Sequence, residues 1–346
     1  MKKIKNQKSK IQTWSYYLII FTLLGFGILS LGFDEVYAQD VTTTITTQTG
    51  GPTQLQSNIG GISIGYIKVG TKEVGTAAWH PDFKIGPWGM GADVNIPLGK
   101  DAPDNYQNAV LRYLEYDDSK KGLRYGILDN VTWGHGMILD NYSTRLYDPS
   151  PLLHNEQLAF KGYVDMDSYV VRGLATRSNI YGIRVEERIN PMLTLGQTYV
   201  TDTDGITPVG TTSAQKVSAV GIDASVPLPL NFEGFAEYAQ LVDHGSGFGA
   251  GVSWGYDLMV ASATFLAEYR MMDKGFVPGY FDADYEYNPI NLASAEASGN
   301  VKNGYVAKLG ISALGLASLN VAYENYNDSN SSAINADLFA KLPQDV

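Results

Sequence analysis

The chain has 346 residues, no cysteine, 18% charged residues and a formal charge of −11, which exclude disulfide frameworks, thiolate metal sites, cysteine nucleophiles and a lipid-bearing cysteine behind an export signal. The acidic balance, with no Lys/Arg stripe to offset it, argues against nucleic acid as a partner. Its 37 Gly, 23 Tyr, 12 Phe and 5 Trp suit a wall of strands with amphipathic aromatics at a water boundary better than a helical enzyme.

The N-terminus carries Lys2, Lys3, Lys5, Lys8 and Lys10, then an apolar run from Trp14 to Phe33, then Val36-Tyr37-Ala38 before Gln39. That is the order of a secretory signal, with small residues at −3 and −1 of a cleavage site, and cleavage is expected after Ala38. A run of about 20 apolar residues is also long enough to persist as an uncleaved anchor. Losing residues 1–38 removes five positive and two negative charges and takes the formal charge from −11 to −14. Residues 39–58 are dominated by Thr, Gln, Ser and Gly and are expected to form a flexible leader facing the periplasm. Residues 59–346 are assigned to the folded body.

Along that body, short segments punctuated by Gly, Asn, Asp and Pro alternate with period 2. In residues 88–96, Trp88, Met90, Ala92, Val94 and Ile96 oppose Gly89, Gly91, Asp93 and Asn95. Tyr181, Ile183 and Val185 oppose Gly182, Arg184 and Glu186; Val220, Ile222, Ala224 and Val226 oppose Gly221, Asp223 and Ser225. Similar patterns run through residues 259–269 and 305–313, and residues 317–324 follow after a turn around Leu314-Gly315. Strands of about 9 to 11 residues match the length that crosses hydrocarbon at a tilt. Their faces are rich in Ala and Gly, with Tyr at strand ends, rather than in large branched residues as in a soluble sandwich.

These features predict an all-β fold, an antiparallel transmembrane β-barrel of about 14 strands, within bounds of 12 to 16 because residues 98–165 and 192–215 are ambiguous. Tyr142–Glu156, Asp202–Gln215 and Asp273–Asn303 are expected as extracellular loops. No fixed repeat of 20 to 50 residues is present.

The most distinctive wording runs from Phe83 to Ser143: FKIGPWGMGADVNIPLG, then LRYLEYDDSKKGLRYGILDNVTWGHGMILDNYS. Through its WGxGxD-like strand and GxLDNVTxGHG-like turn it resembles a poorly characterised group of porin-like outer-membrane β-barrel proteins of Gram-negative-type bacteria. The resemblance covers about 60 of the 346 residues. It implies membrane location and a barrel, and brings no ligand or catalytic residue with it.

Candidate chemistry is sparse. Gly134-His135-Gly136 could hold a metal ligand or a base, but glycines flanking a His also permit a tight bend, the reading preferred here. His80, His154 and His244 show no paired ligand spacing. Asp202-Thr203-Asp204-Gly205 resembles part of a calcium loop but lacks the third oxygen ligand and the distant Glu, and Asp-Gly is an ordinary turn signal. There is no nucleophile elbow, Walker loop or dinucleotide fingerprint, so no enzyme activity, cofactor or metal is expected.

Charges within barrel strands must face the lumen, and Arg112, Arg124, Arg172, Arg184, Glu186, Arg188, Asp223, Glu268, Arg270, Lys308 and Glu324 are therefore the candidate pore-lining residues. The expected function is a porin-like channel for passive diffusion of small hydrophilic solutes, embedded in outer-membrane lipid, with homo-oligomerisation left open. The alternatives are a structural or adhesive barrel with a filled lumen and partner-binding loops, and a secreted soluble β-protein. The ending Phe339 to Val346 includes Pro343 and no terminal aromatic, which indicates a short tail or a barrel that continues beyond this chain.

Overall fold

A computed structural model describes residues 61–69, 72–98, 109–144, 157–258, 261–298, 301–313, 317–327 and 332–340, all within one unit, Thr47–Val346. The expected signal, the Thr/Gln-rich leader, His154, the Leu314-Gly315 turn and the tail after Ala340 lie outside the described residues. No described helix is long and apolar enough to cross a membrane.

The strands are β1 (Gly61–Val69), β2 (Lys72–His80), β3 (Asp82–Ile85), β4 (Trp88–Leu98), β5 (Ala109–Asp117), β6 (Lys121–Gly126), β7 (Val131–Trp133), β8 (Leu139–Tyr142), β9 (Ala159–Asp165) and β10 (Tyr169–Thr176). They continue as β11 (Ile180–Asn190), β12 (Leu193–Ile206), β13 (Gln215–Pro227), β14 (Phe232–Leu241), β15 (Gly245–Leu258), β16 (Ala261–Met272), β17 (Lys302–Ala313), β18 (Ala317–Tyr326) and β19 (Ala333–Ala340). One short helix, α1 (Leu292–Ser298), precedes β17.

Among the described residues seventeen strands form a single sheet, and β7 pairs only with β8. Antiparallel ladders join neighbours in chain order, β6 pairing directly with β9 across the β7–β8 insertion. Strands β2 and β3 both lie against β4, with Trp79 opposite Val94 and Asp82 opposite Gly91, so the seventeen strands occupy sixteen positions. Among the described residues no ladder joins β19 to β1. The connections at 86–87, 118–120, 166–168, 191–192 and 228–231 all fall at one end of the sheet and are short. They turn through left-handed residues such as Gly86, Ser119 and Asp167. The long connections, 127–158, 207–214 and 273–301, all fall at the other end.

The two faces invert the order of a water-soluble protein. Outward-pointing positions carry Leu123, Phe160, Ile183, Tyr199, Ile222 and Tyr305, with Ile183 48% and Ile222 60% exposed. Inward positions carry Arg184, Asp223, Glu237, Glu268 and Arg270, each 8% exposed or less. Ionised side chains are almost never fully buried unless paired, and soluble monomers rarely expose continuous apolar surface on this scale. A wall whose outer solvent is hydrocarbon and whose interior is polar accounts for both observations. The fold is an antiparallel transmembrane β-barrel.

The sheet curls around its own insertion. Laid flat, β11 to β17 would spread about 29 Å at ordinary strand spacing. Yet the short segment from Trp133 to Asp140 reaches Gly182 on β11, Gly221 on β13, Glu237 on β14, Gly247 on β15 and Lys308 on β17. Only a strongly curved wall brings these strands to one hairpin.

Several expectations change. Among the described residues the strand positions number sixteen, within the expected bounds of 12 to 16, but lengths exceed the expected 9 to 11 residues and reach 14 in β12 and β15. Asp202 to Ile206, expected in a loop, complete β12. Asp273–Asn303 is no simple extracellular loop: it contributes Phe276, Tyr280, Phe281, Tyr285 and Leu292 to the buried core and forms α1. Tyr142, expected to open a loop, ends β8 fully buried, while residues 145–156 lie outside the described residues.

Candidate functional site: a plugged and charged lumen

Residues 127–144, which follow β6, turn inward instead of crossing the wall. Their sequence shows why, since Ile127-Leu128 and Met137-Ile138-Leu139 are runs of consecutive apolar residues that need cover on every side, and all five are at most 1% exposed. Thr144 N–H donates to the Leu128 carbonyl at 2.9 Å and Leu128 N–H to Thr144 Oγ1 at 3.0 Å, closing the base of the insert. The second insertion docks on the first through backbone bonds. Asp140 N–H donates to Phe281 O, Phe281 N–H to Ile138 O and Gly279 N–H to Met137 O, at 2.9–3.1 Å.

The wall accepts this plug at glycines. A Cβ at Gly182 would lie 2.7 Å from the Trp133 ring, one at Gly221 2.7 Å from Ile138 Cδ1, and one at Gly247 2.5 Å from Phe276. Missing side chains on the lumen face are therefore filled by plug side chains, a close approach that only glycine permits. Polar contacts finish the docking: Tyr142 OH donates to Glu286, Ser178 Oγ to Glu286 at 2.9 Å, Tyr285 OH to Asp202 at 2.9 Å, and Lys308 Nζ to Asp140. Burial holds the Glu286 carboxyl above its ordinary range. Burial, with Asp284 and Asp140 adding repulsion, pushes Asp282 up to about 6.

His135 forms the tip of the insert. Gly134 and Gly136, at φ +62° and +92°, turn the chain in the left-handed region. His135 N–H donates to Glu237 Oε2 at 2.7 Å, and its ring Nε2 lies 3.0 Å from Glu233 Oε1. The ring stacks on Phe235 at 3.7 Å and 3°. The glycines do serve a tight bend, as expected, and the His is in addition a contact between plug and wall. Among the described residues no group of three His, Cys, Asp or Glu is placed to hold a metal ion. The Asp202 carboxylate is engaged by Gly205 N–H at 2.7 Å and by Tyr285, so the calcium-like stretch works as a turn and a docking point.

Beneath the plug, toward the end with short turns, lies a cavity of about 760 Å³. Plug residues Asn130 to His135 cover it, and side chains from β5, β6, β9, β10, β11, β13 and β14 line it. Six of the eleven predicted lumen residues meet there: Arg124, Arg172, Arg184, Glu186, Arg188 and Asp223. Arg184 is the hub. It forks onto Asp223 at 2.6 and 2.9 Å, donates from Nε to Glu186 at 2.8 Å and reaches Thr198 at 2.8 Å. Arg172 shares Glu186 at 3.3 Å, and Arg124 meets Glu115 at 3.3 Å while lying 4.0 Å from the Tyr113 ring centroid. Arg188 sits at the mouth, half exposed, paired with Asp165.

The other five lie apart from this cavity. Arg112 bonds Asp82 at 2.7 Å beside the bulge that offsets β4 and β5. Glu268 and Arg270 pair with each other at 2.7 Å, both buried. Lys308 holds the plug, and Glu324 stands opposite Val306 on the inward face of β18. Sequence reasoning missed Lys161, Glu115, Glu233 and Glu237 as lumen residues. Inward parity on β5, β9 and β14 would have found them, but only once the register was known.

No protein-family model matches the sequence, and no curated protein does. Solved structures with similar backbones are outer-membrane proteins. The Escherichia coli protein Wzi, titled a carbohydrate-binding β-barrel involved in group 1 capsule assembly, is 11% identical over 76% of this chain and 70% of its own, with a TM-score of 0.38. A variant of the Rh. blastica porin is 11% identical over 81% of this chain and 95% of its own, at 0.40. Pseudomonas aeruginosa OccK3 is 12% identical over 78% and 89%, at 0.34. At these scores the superpositions are loose, and the functional reading rests on this chain's own wall and lumen.

Proposed function

We propose that this chain is an outer-membrane barrel that admits small hydrophilic solutes along its charged half-lumen, with passage restricted by the inserted segment 127–144. The observation that carries the proposal is the charged cavity of about 760 Å³ inside a wall whose outer face is apolar, roofed by the tip of the insert. Mixed charges at close quarters select by size and by field rather than by chemistry. The apolar anchoring of the roof makes the restricted state the resting one.

Planar-bilayer recording tests this. The native chain should give small, infrequent conductance steps, and a variant with residues 130–141 replaced by a short Gly/Ser linker should give larger and longer ones. The filled-lumen alternative draws support from the fully buried plug residues Met137, Leu139, Tyr142 and Phe281. It predicts flat traces from both proteins, and that result would remove the channel reading.

A further inference from the structure

We infer that the cavity beneath the plug binds a small hydrophilic monoanion, a carboxylate on a polar molecule, at Lys161 between Arg124 and Arg172. The inference rests on the reading of a solute-admitting lumen and names the class of solute. Its basis is a row of cations on adjacent strands: Lys161 on β9 stands directly opposite Arg124 on β6, and Arg172 on β10 directly opposite Arg184 on β11. Like charges directly opposite each other are unfavourable unless compensated.

Three of the four are compensated within the wall. Arg124 has Glu115, while Arg172 and Arg184 share Glu186 and Asp223. Among the described residues Lys161 Nζ has no hydrogen bond or ion pair, although its side chain lines the cavity. Direct pairing therefore leaves one positive charge over, which matches one negative charge on a ligand. A dianion such as phosphate would meet the surrounding Glu115, Glu186 and Asp117 with a charge unmatched.

The neighbourhood also offers the other half of a recognition site. The Tyr163 ring lies across Gly122, where an added Cβ would come within 2.4 Å of it, and its OH is fixed on Asp117 at 2.6 Å. The ring stands two residues along β9 from Lys161 on the same inward face, with the Arg172 guanidinium 5.8 Å from its centroid, so cation and aromatic surface meet in one wall of the cavity, suited to a sugar-like ring that carries a carboxylate. Thr132 and Asn130 reach the same cavity from the plug. A volume of about 760 Å³ exceeds what a single six-carbon acid needs and falls in the usual range of ligand sites.

The test is isothermal titration of the purified full chain, folded in detergent, with glucuronate, glucose and inorganic phosphate. Glucuronate should bind at least about tenfold more tightly than glucose or phosphate, and more weakly as salt rises. Lys161→Met, which keeps the stem, should weaken glucuronate binding about 10- to 100-fold while the protein keeps its folded gel mobility. Lys161→Gln, read the same way, covers a folding failure of the first variant. Equal affinity for glucose, tighter binding of phosphate, no glucuronate binding, or an unchanged affinity in the variants would each overturn the site. Because binding is read in detergent, a flat bilayer trace with intact glucuronate binding would remove conduction and leave the site standing.

Discussion

Gly182→Ala puts a methyl group where the Trp133 ring now rests. The added Cβ would sit 2.7 and 2.9 Å from two ring carbons and 3.0 Å from Leu174 Cγ, against an ordinary contact distance of about 3.5–4.0 Å. The ring must withdraw by about 1 Å, and it cannot do so independently, because Gly134 next to it is packed against Glu237 and Arg184. Overpacking of this kind costs about 1–3 kcal/mol. Charged to plug docking, that cost lowers the docked-to-undocked ratio about 5- to 150-fold. Hydrogen exchange of the amides of Asp140, Gly279 and Phe281, which make the bonds between the two insertions, should lose protection by that factor while wall amides of β12 and β13 keep theirs. Adding Trp133→Leu should recover part of the loss, since the two positions touch. Unchanged protection in Gly182→Ala, or a uniform loss across the wall, would refute the idea that the plug seats on wall glycines.

Removing Asp223 strands the buried Arg184 with only Glu186 and Thr198, and Asp223→Ala should cost about 2–4 kcal/mol, seen as a lower urea midpoint in lipid vesicles. Ile183→Arg places a charge on the outward face of β11 and should reduce folding into vesicles by about 2–4 kcal/mol, whereas Thr194→Arg, at the cavity, should be tolerated. Asp282 binds its proton more tightly in the folded chain than in the unfolded one, so plug docking should be strongest below about pH 4 and weaken as pH rises through about 6. The amplitude should be about 1–2 kcal/mol once partial exposure is allowed for. Asp282→Asn should flatten this dependence in exchange measurements corrected for intrinsic rates, and a persistent slope would assign it to another group.

The wall was legible where one strand obeys one alternation. Residues 88–92, 220–226 and 305–313 have their apolar sets outward and their glycines and charges inward, because a pleated strand sends successive side chains to opposite faces. It was least legible at β5, where the register shift between Gly91 and Ala92 lets Arg112 and Tyr113 both turn inward, breaking the period in sequence. The plug was hidden for a different reason. Short runs such as Met137-Ile138-Leu139 carry no periodicity that tells a wall strand from a segment buried inside a lumen. The signal lay instead in the pairing of such runs with lumen-facing glycines, and that pairing is long-range.

The ladder between β6 and β9 sets Gly126 directly opposite Ala159. The chain thus leaves the wall after Gly126 and rejoins it at Ala159 through two paired backbone positions, and residues 127–144 hang from that seam as a pouch. The seam holds whatever the pouch contains. Changes of length within it therefore leave the register of β6 on β9 in place. The same seam offers an engineer a place to exchange one restricting segment for another and keep the container.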